Sequence, residues 1–149
     1  MSSLLKREKG FTLIEIVLVL AIAGLLLVIV FLAVSGAQKS RRDSQRKGDL
    51  SRLGAQLESY ASNNAGAYPA GSLQAATFTP YVPSNFNDPT TGSAYTLPSA
   101  LSDAPGATAG NISYNLGAGT TCDSAANANS RVYALRMRLE QGIACVDNK

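Results

Sequence analysis

The chain has 149 residues, with 13 Lys and Arg against 10 Asp and Glu, and it contains no histidine. This length accommodates one modest domain beside a membrane anchor, so a single scaffold with a single function is expected. The absence of histidine removes the commonest general base, metal ligand and pH switch. We therefore expect neither enzymatic activity nor a bound cofactor.

The N-terminus combines a short basic segment, residues 1–10, with an apolar run from Phe11 to Val34 that contains one charge, Glu15. As a helix at about 1.5 Å per residue, the run measures roughly 36 Å and can cross a hydrocarbon core of about 30 Å. A carboxylate inside such a span costs roughly 2.5–3.5 kcal/mol on insertion scales, so it is seldom present without a purpose. In the isolated chain we expect Glu15 to lack a partner.

The junction between the basic segment and the apolar run reads Lys9-Gly10-Phe11-Thr12-Leu13-Ile14-Glu15. This junction resembles the processing site of type IV pilins and type II secretion pseudopilins. The resemblance implies that a membrane-embedded prepilin peptidase cleaves after Gly10 and that the new amine of Phe11 is methylated. It also implies that Glu15 meets the N-terminal amine of a neighbouring subunit when copies of the chain assemble into a helical filament on an inner-membrane platform.

Two other interpretations of the apolar run are an ordinary membrane span with a glutamate near its cytoplasmic end and a cleaved signal peptide. The second conflicts with the length of the run, which exceeds the roughly 7–15 apolar residues of a signal peptide. The pilin resemblance implies a single-pass precursor in the cytoplasmic membrane, in contact with lipid, that later joins a filament at the cell surface. A count of flanking cations favours the reverse orientation, whereas the processing motif and the cysteine pair favour this one.

The helix is predicted to continue beyond the apolar half, residues 11–35, through an amphipathic half, residues 36–65. No proline interrupts either half, and leucines recur at helical spacing at Leu50, Leu53 and Leu57. Gly24 and Gly36 are the only weak points, so a gentle curve is expected. The helix should end near Asn64, because Gly66 and Pro69 follow it.

Residues 66–149 are predicted to form a globular head, beginning with a proline-rich connecting region, residues 66–110. Within this region, the segment from Asn87 to Tyr95 resembles the Asp-Pro-x-Thr-Gly loop of pseudopilins. A plain turn is the alternative, because Asp-Pro and Thr-Gly form turns on their own account.

Residues 111–149 contain two runs with a period-two alternation that predicts strands, near 112–116 and 133–140. A third short strand, 142–146, is predicted after the turn at Gln141-Gly142. These strands should form a small antiparallel sheet with its apolar face on the leucine stripe and its polar face outward. The fold class is therefore α+β, with one long N-terminal α-helix packed against the sheet, as in the pilin fold.

Cys122 and Cys145 are too few for a structural zinc site. They suit one disulfide in an oxidising compartment, with two free thiols as the alternative. In pilins that this chain resembles, such a bridge often closes a C-terminal surface loop. Some pseudopilins hold calcium in a head loop, but the aspartates here have no recognisable ligand spacing and we expect no metal: Asp88, Asp103, Asp123 and Asp147.

These features predict a structural subunit of a type IV pilus or related filament that serves adhesion, motility or DNA uptake. The alternatives are a type II secretion pseudopilin and a minor pilin that binds DNA or another anionic ligand. Basic residues motivate the last alternative: Lys39, Arg41, Arg42, Arg46, Lys47 and Arg52 after the span, and Arg136 and Arg138 on the outer sheet face. A solvated basic face or contact with lipid headgroups would explain the same residues.

Overall fold

The computed structural model describes residues 10–102, 104–116, 122 and 132–148. One long helix, α1 (Leu13–Asn63), precedes a short 3₁₀ helix (Thr79–Tyr81) and three strands: β1 (Ile112–Leu116), β2 (Tyr133–Leu139) and β3 (Gly142–Asp147). The strands form an antiparallel sheet in the order β1-β2-β3. The predicted α+β class is confirmed. The chain divides into two compact units, Met1–Gln38 and Lys39–Lys149, which are described separately.

The first unit contains the apolar part of α1, in which every residue from Leu13 to Gln38 is exposed. By length and composition this helix could cross a membrane, with a mean hydropathy of 3.4 in its most apolar stretch and none of that stretch buried. Helical structure passes through Gly24 and Gly36 without a break.

In the second unit, the later part of α1 packs against the sheet through Leu50, Leu53 and Leu57, each fully buried. They share one hydrophobic core with inward side chains of β1 and β2, including Tyr114 and Leu135. Burying a leucine contributes about 1.5–3 kcal/mol relative to leaving it exposed. The predicted packing of the leucine stripe on the sheet is confirmed.

The helix and the sheet approach closely at Gly54. A Cβ atom there would lie 3.0 Å from Cγ1 of Val146 and 3.1 Å from the hydroxyl of Tyr133. That hydroxyl also donates a hydrogen bond to the carbonyl of Gly54, at 3.3 Å. Because glycine has no side chain, Val146 and Tyr133 of the sheet can pack directly against the helix backbone at this position.

The second face of the sheet differs from the prediction. Ser113, Arg136 and Cys145 are cross-strand neighbours, and side-chain alternation places them opposite the helix-facing residues. This face was expected to be solvated, yet Ser113 is 2% exposed and Arg136 is 8% exposed. The alternation correctly identified the face that packs on α1. It was wrong about the second face, because a polar residue type does not by itself reveal whether other parts of the chain cover it.

The connecting region supplies core side chains that periodicity did not reveal, namely Leu73, Phe78, Phe86 and Tyr95. Phe86 and Tyr95 pack with their ring centroids 4.6 Å apart. They flank a tight loop, because Asn87 and Ala94 form an isolated antiparallel bridge. The region is therefore an ordered layer of the head.

A buried arginine, Arg46, joins this loop to α1 and to the turn between β2 and β3. Its side chain is 1% exposed. Its guanidinium donates two hydrogen bonds to Asp88, at 3.0 and 3.1 Å, one to Asp43 at 3.1 Å and one to Glu140 at 3.3 Å. A fifth, at 2.6 Å, ends on the hydroxyl of Thr90. We call Arg42, Asp43, Arg46, Asp88 and Glu140 the Arg46 cluster.

The other members of the Arg46 cluster extend these contacts. Arg42 donates two hydrogen bonds to Glu140, at 2.6 and 2.9 Å. Asp43 accepts the backbone N–H groups of Glu140 and Gln141, at 2.9 and 3.0 Å, and so fixes the hairpin turn to the helix. Gly110 has a φ of +88°, and a side chain there would collide with the carboxylate of Asp88.

The ionisation of the Arg46 cluster follows from these contacts. Burial opposes the charges of Arg46 and Asp88, but their mutual hydrogen bonds outweigh it, so the pKa of Arg46 is raised and that of Asp88 is lowered. The hydrogen bond from Arg42 lowers the pKa of Glu140. Because folding lowers these two carboxyl pKa values, their contribution to stability is present at neutral pH and is lost as the pH falls through the lowered values.

The two cysteines form a disulfide with an S–S distance of 2.07 Å and Cα atoms 5.5 Å apart. Cys145 lies in β3, and the backbone N–H of Cys122 donates to the carboxylate of Asp147 at 3.1 Å. The bridge spans a sequence separation of 23. In the chain-entropy account, closing a loop of this size stabilises the fold by about 3 kcal/mol.

Replacing Arg46 with Met should lower the free energy of unfolding of the head by about 3–5 kcal/mol, because it leaves the buried carboxylates of Asp43 and Asp88 without their cation. The matched control is Arg41→Met, since Arg41 is exposed; it should change stability by about 0.5 kcal/mol or less. Denaturant unfolding followed by near-ultraviolet circular dichroism measures both. Equal effects of the two variants would contradict the assigned role of Arg46.

Replacing Cys145 with Ser should lower the free energy of unfolding by about 2–5 kcal/mol, because the cross-link no longer restricts the unfolded chain. Chemical reduction of the wild-type protein should produce the same loss. Alkylation of the exported, unreduced protein should label neither cysteine. Rapid labelling of both thiols would show that the bridge does not form in that compartment.

Candidate functional site

The candidate processing site, Gly10 and Phe11, lies immediately before α1, which begins at Leu13. Both residues are exposed, Phe11 to 85%. A Cβ atom at Gly10 would have no neighbour within 4 Å, and the backbone there does not adopt a positive φ. Neither packing nor backbone conformation in the described chain therefore requires glycine at this position. An outside molecule can still require glycine here, for example a protease whose cleft closely approaches the backbone.

Glu15 does have a partner, in contrast to the expectation from the sequence. Its Oε2 accepts hydrogen bonds from the backbone N–H and from the hydroxyl of Thr12, both at 2.8 Å. The Thr12 hydroxyl in turn accepts the backbone N–H of Glu15 at 3.3 Å. This reciprocal pair is a capping box, in which a Ser or Thr before the helix and a Glu in its first turn satisfy backbone donors that helical bonds leave unpaired.

The capping box was recognisable in the sequence as Thr-x-x-Glu at the start of an apolar run. An interpretation of Glu15 only as a charge in an apolar helix does not reveal it. Its geometry leaves scope for a further contact, since both bonds from Thr12 end on Oε2 and neither engages Oε1. The box also holds the carboxylate in the first turn, where the helix dipole favours negative charge.

Beyond the capping box, α1 presents apolar side chains around its whole circumference. Leu20, Leu25 and Phe31 are 65%, 65% and 80% exposed, and their neighbours are similarly uncovered. A continuous apolar surface of this extent marks contact with a membrane or with other protein chains.

The basic surface proposed from the sequence does not form as predicted. Arg46 and Arg136 are buried, and Arg42 is paired with Glu140. Arg138 is half-buried. Four of the eight cations are exposed on α1: Lys39, Arg41, Lys47 and Arg52. Of the two arginines on the outer sheet face, Arg136 is thus buried and only Arg138 stays partly accessible.

The aspartates considered for calcium are also committed elsewhere or lie outside the described residues. Asp88 binds Arg46, and Asp147 accepts the backbone N–H of Cys122. Asp103 and Asp123 belong to the residues that the structure does not describe. Within the described ranges, no group of three or more metal-ligating side chains comes together.

Comparison with known families identifies the N-terminal segment. The family model of the prokaryotic N-terminal methylation motif matches residues 5–31, which include Gly10, Phe11, the capping box and most of the apolar run. No curated protein and no solved structure matches the chain. The family match confirms the resemblance predicted from the residues around Gly10. The N-terminal segment of this chain thus carries a prokaryotic N-terminal methylation motif.

Proposed function

We propose that this chain is a structural subunit of a type IV pilus or related filament, processed after Gly10 and assembled through its N-terminal helix. The observation that carries the proposal is the uncovered apolar part of α1, which bears the methylation motif and a carboxylate held in its first turn. Adhesion, motility and DNA uptake are the roles that such a filament would serve.

The exposed apolar helix requires a different cover at each stage of this pathway. In the precursor, lipid covers it, and a prepilin peptidase acts on the exposed backbone at Gly10 and Phe11. In the filament, the same side chains pack against the helices of other subunits. An inner-membrane assembly platform transfers the subunit between the two environments.

Glu15 would set the stagger between neighbouring subunits. Cleavage after Gly10 creates an amine at Phe11, one residue before Thr12, and an incoming amine of this kind could bind the carboxylate of Glu15 on the adjacent copy. Charge-assisted hydrogen bonds are the strong ones, particularly where water is excluded. Because only one axial offset between parallel helices brings the two groups together, the contact would favour assembly in a single register.

A type II secretion pseudopilin is the second candidate. The loop from Asp88 to Gly92 supports it, because this segment resembles the pseudopilin Asp-Pro-x-Thr-Gly loop and is ordered here by Arg46 and by the Asn87–Ala94 bridge. Both candidates share processing, methylation and helix-mediated assembly.

Replacing Glu15 with Val should leave membrane insertion and cleavage intact but abolish filament formation. Glu15→Gln separates the two roles of the residue, because a glutamine can complete a capping box but carries no charge. Loss of a charged hydrogen bond worth about 1.5–3 kcal/mol predicts at least a tenfold fall in assembled subunit for Gln. Immunoblots of sheared filaments and of membranes measure assembly and cleavage.

Two further variants test the contribution of the helix cap and of the length of the Glu15 side chain. Thr12→Val removes the capping hydroxyl and keeps the carboxylate, so it should assemble better than Glu15→Val. Glu15→Asp, shorter by one methylene, should assemble less well than the wild type. If Glu15→Gln forms filaments at the wild-type level while Thr12→Val does not, the residue acts through the cap and the proposed register contact is wrong.

A further inference from the structure

Lys39 and Arg41 are two exposed cations just beyond the apolar part of α1. Their neighbours are committed within the head, since Arg42 pairs with Glu140 and Arg46 is buried among carboxylates. Among the described residues, neither Lys39 nor Arg41 takes part in a salt bridge. These two cations therefore remain available to an outside anion.

The carboxylates nearest to them on the helix cannot supply that anion. Asp43 and Asp49 are each 6% exposed. Asp43 binds Arg46 and two backbone N–H groups, and Asp49 accepts from the hydroxyl of Tyr95 at 3.2 Å. The chain carries a formal net charge of +3 at pH 7, and burial of these acids leaves the surface at Lys39 and Arg41 positive.

The position of Lys39 and Arg41 along the helix corresponds to the polar headgroup layer of a bilayer. Only Ser35 to Gln38 separate Val34 from Lys39, a helical distance of about 7.5 Å. The polar layer of each leaflet is about 5–8 Å thick, given a hydrocarbon core of about 30 Å and a total of about 40–45 Å. With Val34 at the edge of the hydrocarbon, the backbone of Lys39 lies at the depth of the lipid phosphates, and that of Arg41, about 10.5 Å beyond Val34, lies just outside this layer. Their long side chains allow them to adjust to that depth.

We propose that Lys39 and Arg41 bind the phosphate groups of anionic lipids in the leaflet from which the head emerges. Residues two apart on a helix point about 200° from each other, so the two side chains bind lipids on opposite sides of α1. The inference rests on the membrane-embedded precursor of the proposed function. It assigns these cations the role of holding the subunit at a fixed depth until it is extracted.

The test uses the full-length precursor, purified from membranes in mild detergent. Native mass spectrometry compares its retention of phosphatidylglycerol, of zwitterionic phosphatidylcholine and of inorganic phosphate. At about 1 kcal/mol per cation near an anionic surface, Lys39→Gln/Arg41→Gln should weaken phosphatidylglycerol binding about 30-fold. The control variant Lys47→Gln/Arg52→Gln removes the same formal charge about 12–17 Å further along the helix, with loss of the salt bridge of Arg52 to Asp49 at 3.4 Å, and should bind phosphatidylglycerol like the wild type.

Each outcome supports or overturns the assignment. Selective retention of phosphatidylglycerol, lost only in Lys39→Gln/Arg41→Gln, supports it. Equal retention of both lipids, or equal losses in both double variants, overturns it. Binding of free phosphate as strong as that of the lipid would assign a soluble anion instead. Binding of a DNA oligonucleotide that depends on all four cations would assign nucleic acid.

The same preparation separates failure of this inference from failure of the proposed function. Extraction of membranes with alkaline carbonate shows whether the precursor is integral. A precursor released by carbonate contradicts the membrane stage of the proposed function. An integral precursor with no lipid preference contradicts only the role of Lys39 and Arg41.

Discussion

The constraint on which this molecule depends is that α1 is covered by its own chain along only part of its length. Residues Leu50, Leu53 and Leu57 are completely buried under the sheet, whereas Leu13 to Gln38 are exposed throughout. One helix therefore supplies the core of a folded head and an apolar surface that requires cover from outside. The N-terminal methylation motif lies at the start of that surface, and in the proposed function lipid and then other subunits provide the cover.

The head is held on its helix by a buried ionic contact in addition to apolar packing. Arg46 joins α1 to the loop at Asp88 and to the turn at Glu140, and Asp43 binds the backbone of the same turn. A buried ion pair adds little net stability relative to apolar side chains of the same size, but removing one partner is costly. The Arg46 cluster therefore fixes the placement of these segments more than it adds to their stability. It also withdraws acids from the surface, so that Lys39 and Arg41 remain unneutralised.

Patterns between residues close in sequence predicted much of this structure. Contacts between segments distant in sequence could not be predicted from such patterns. Period two located β1 and β2 to within a residue, and the turn at Gln141-Gly142 located β3. The leucine spacing identified the buried side of α1. In contrast, Arg46 was placed among exposed cations, because its partners Asp88 and Glu140 lie 42 and 94 residues away. Burial of Arg136 depends likewise on tertiary cover. The Thr12–Glu15 capping box, in contrast, corresponds to a local pattern, Thr-x-x-Glu before an apolar run, which an interpretation of Glu15 as a charge alone does not reveal.

The central claim, that an outside peptidase exposes the N-terminus of α1 for assembly, is tested most directly by the mass of the subunit in surface filaments. Filaments sheared from cells and analysed by intact and fragment-ion mass spectrometry should contain a chain that begins with N-methylated Phe11. The Gly10→Val variant should accumulate in the membrane as the uncleaved precursor, because a branched side chain would keep the peptidase from the backbone, whereas no described residue lies close enough to Gly10 to oppose the substitution. Filaments built from subunits that retain Met1 would contradict the account.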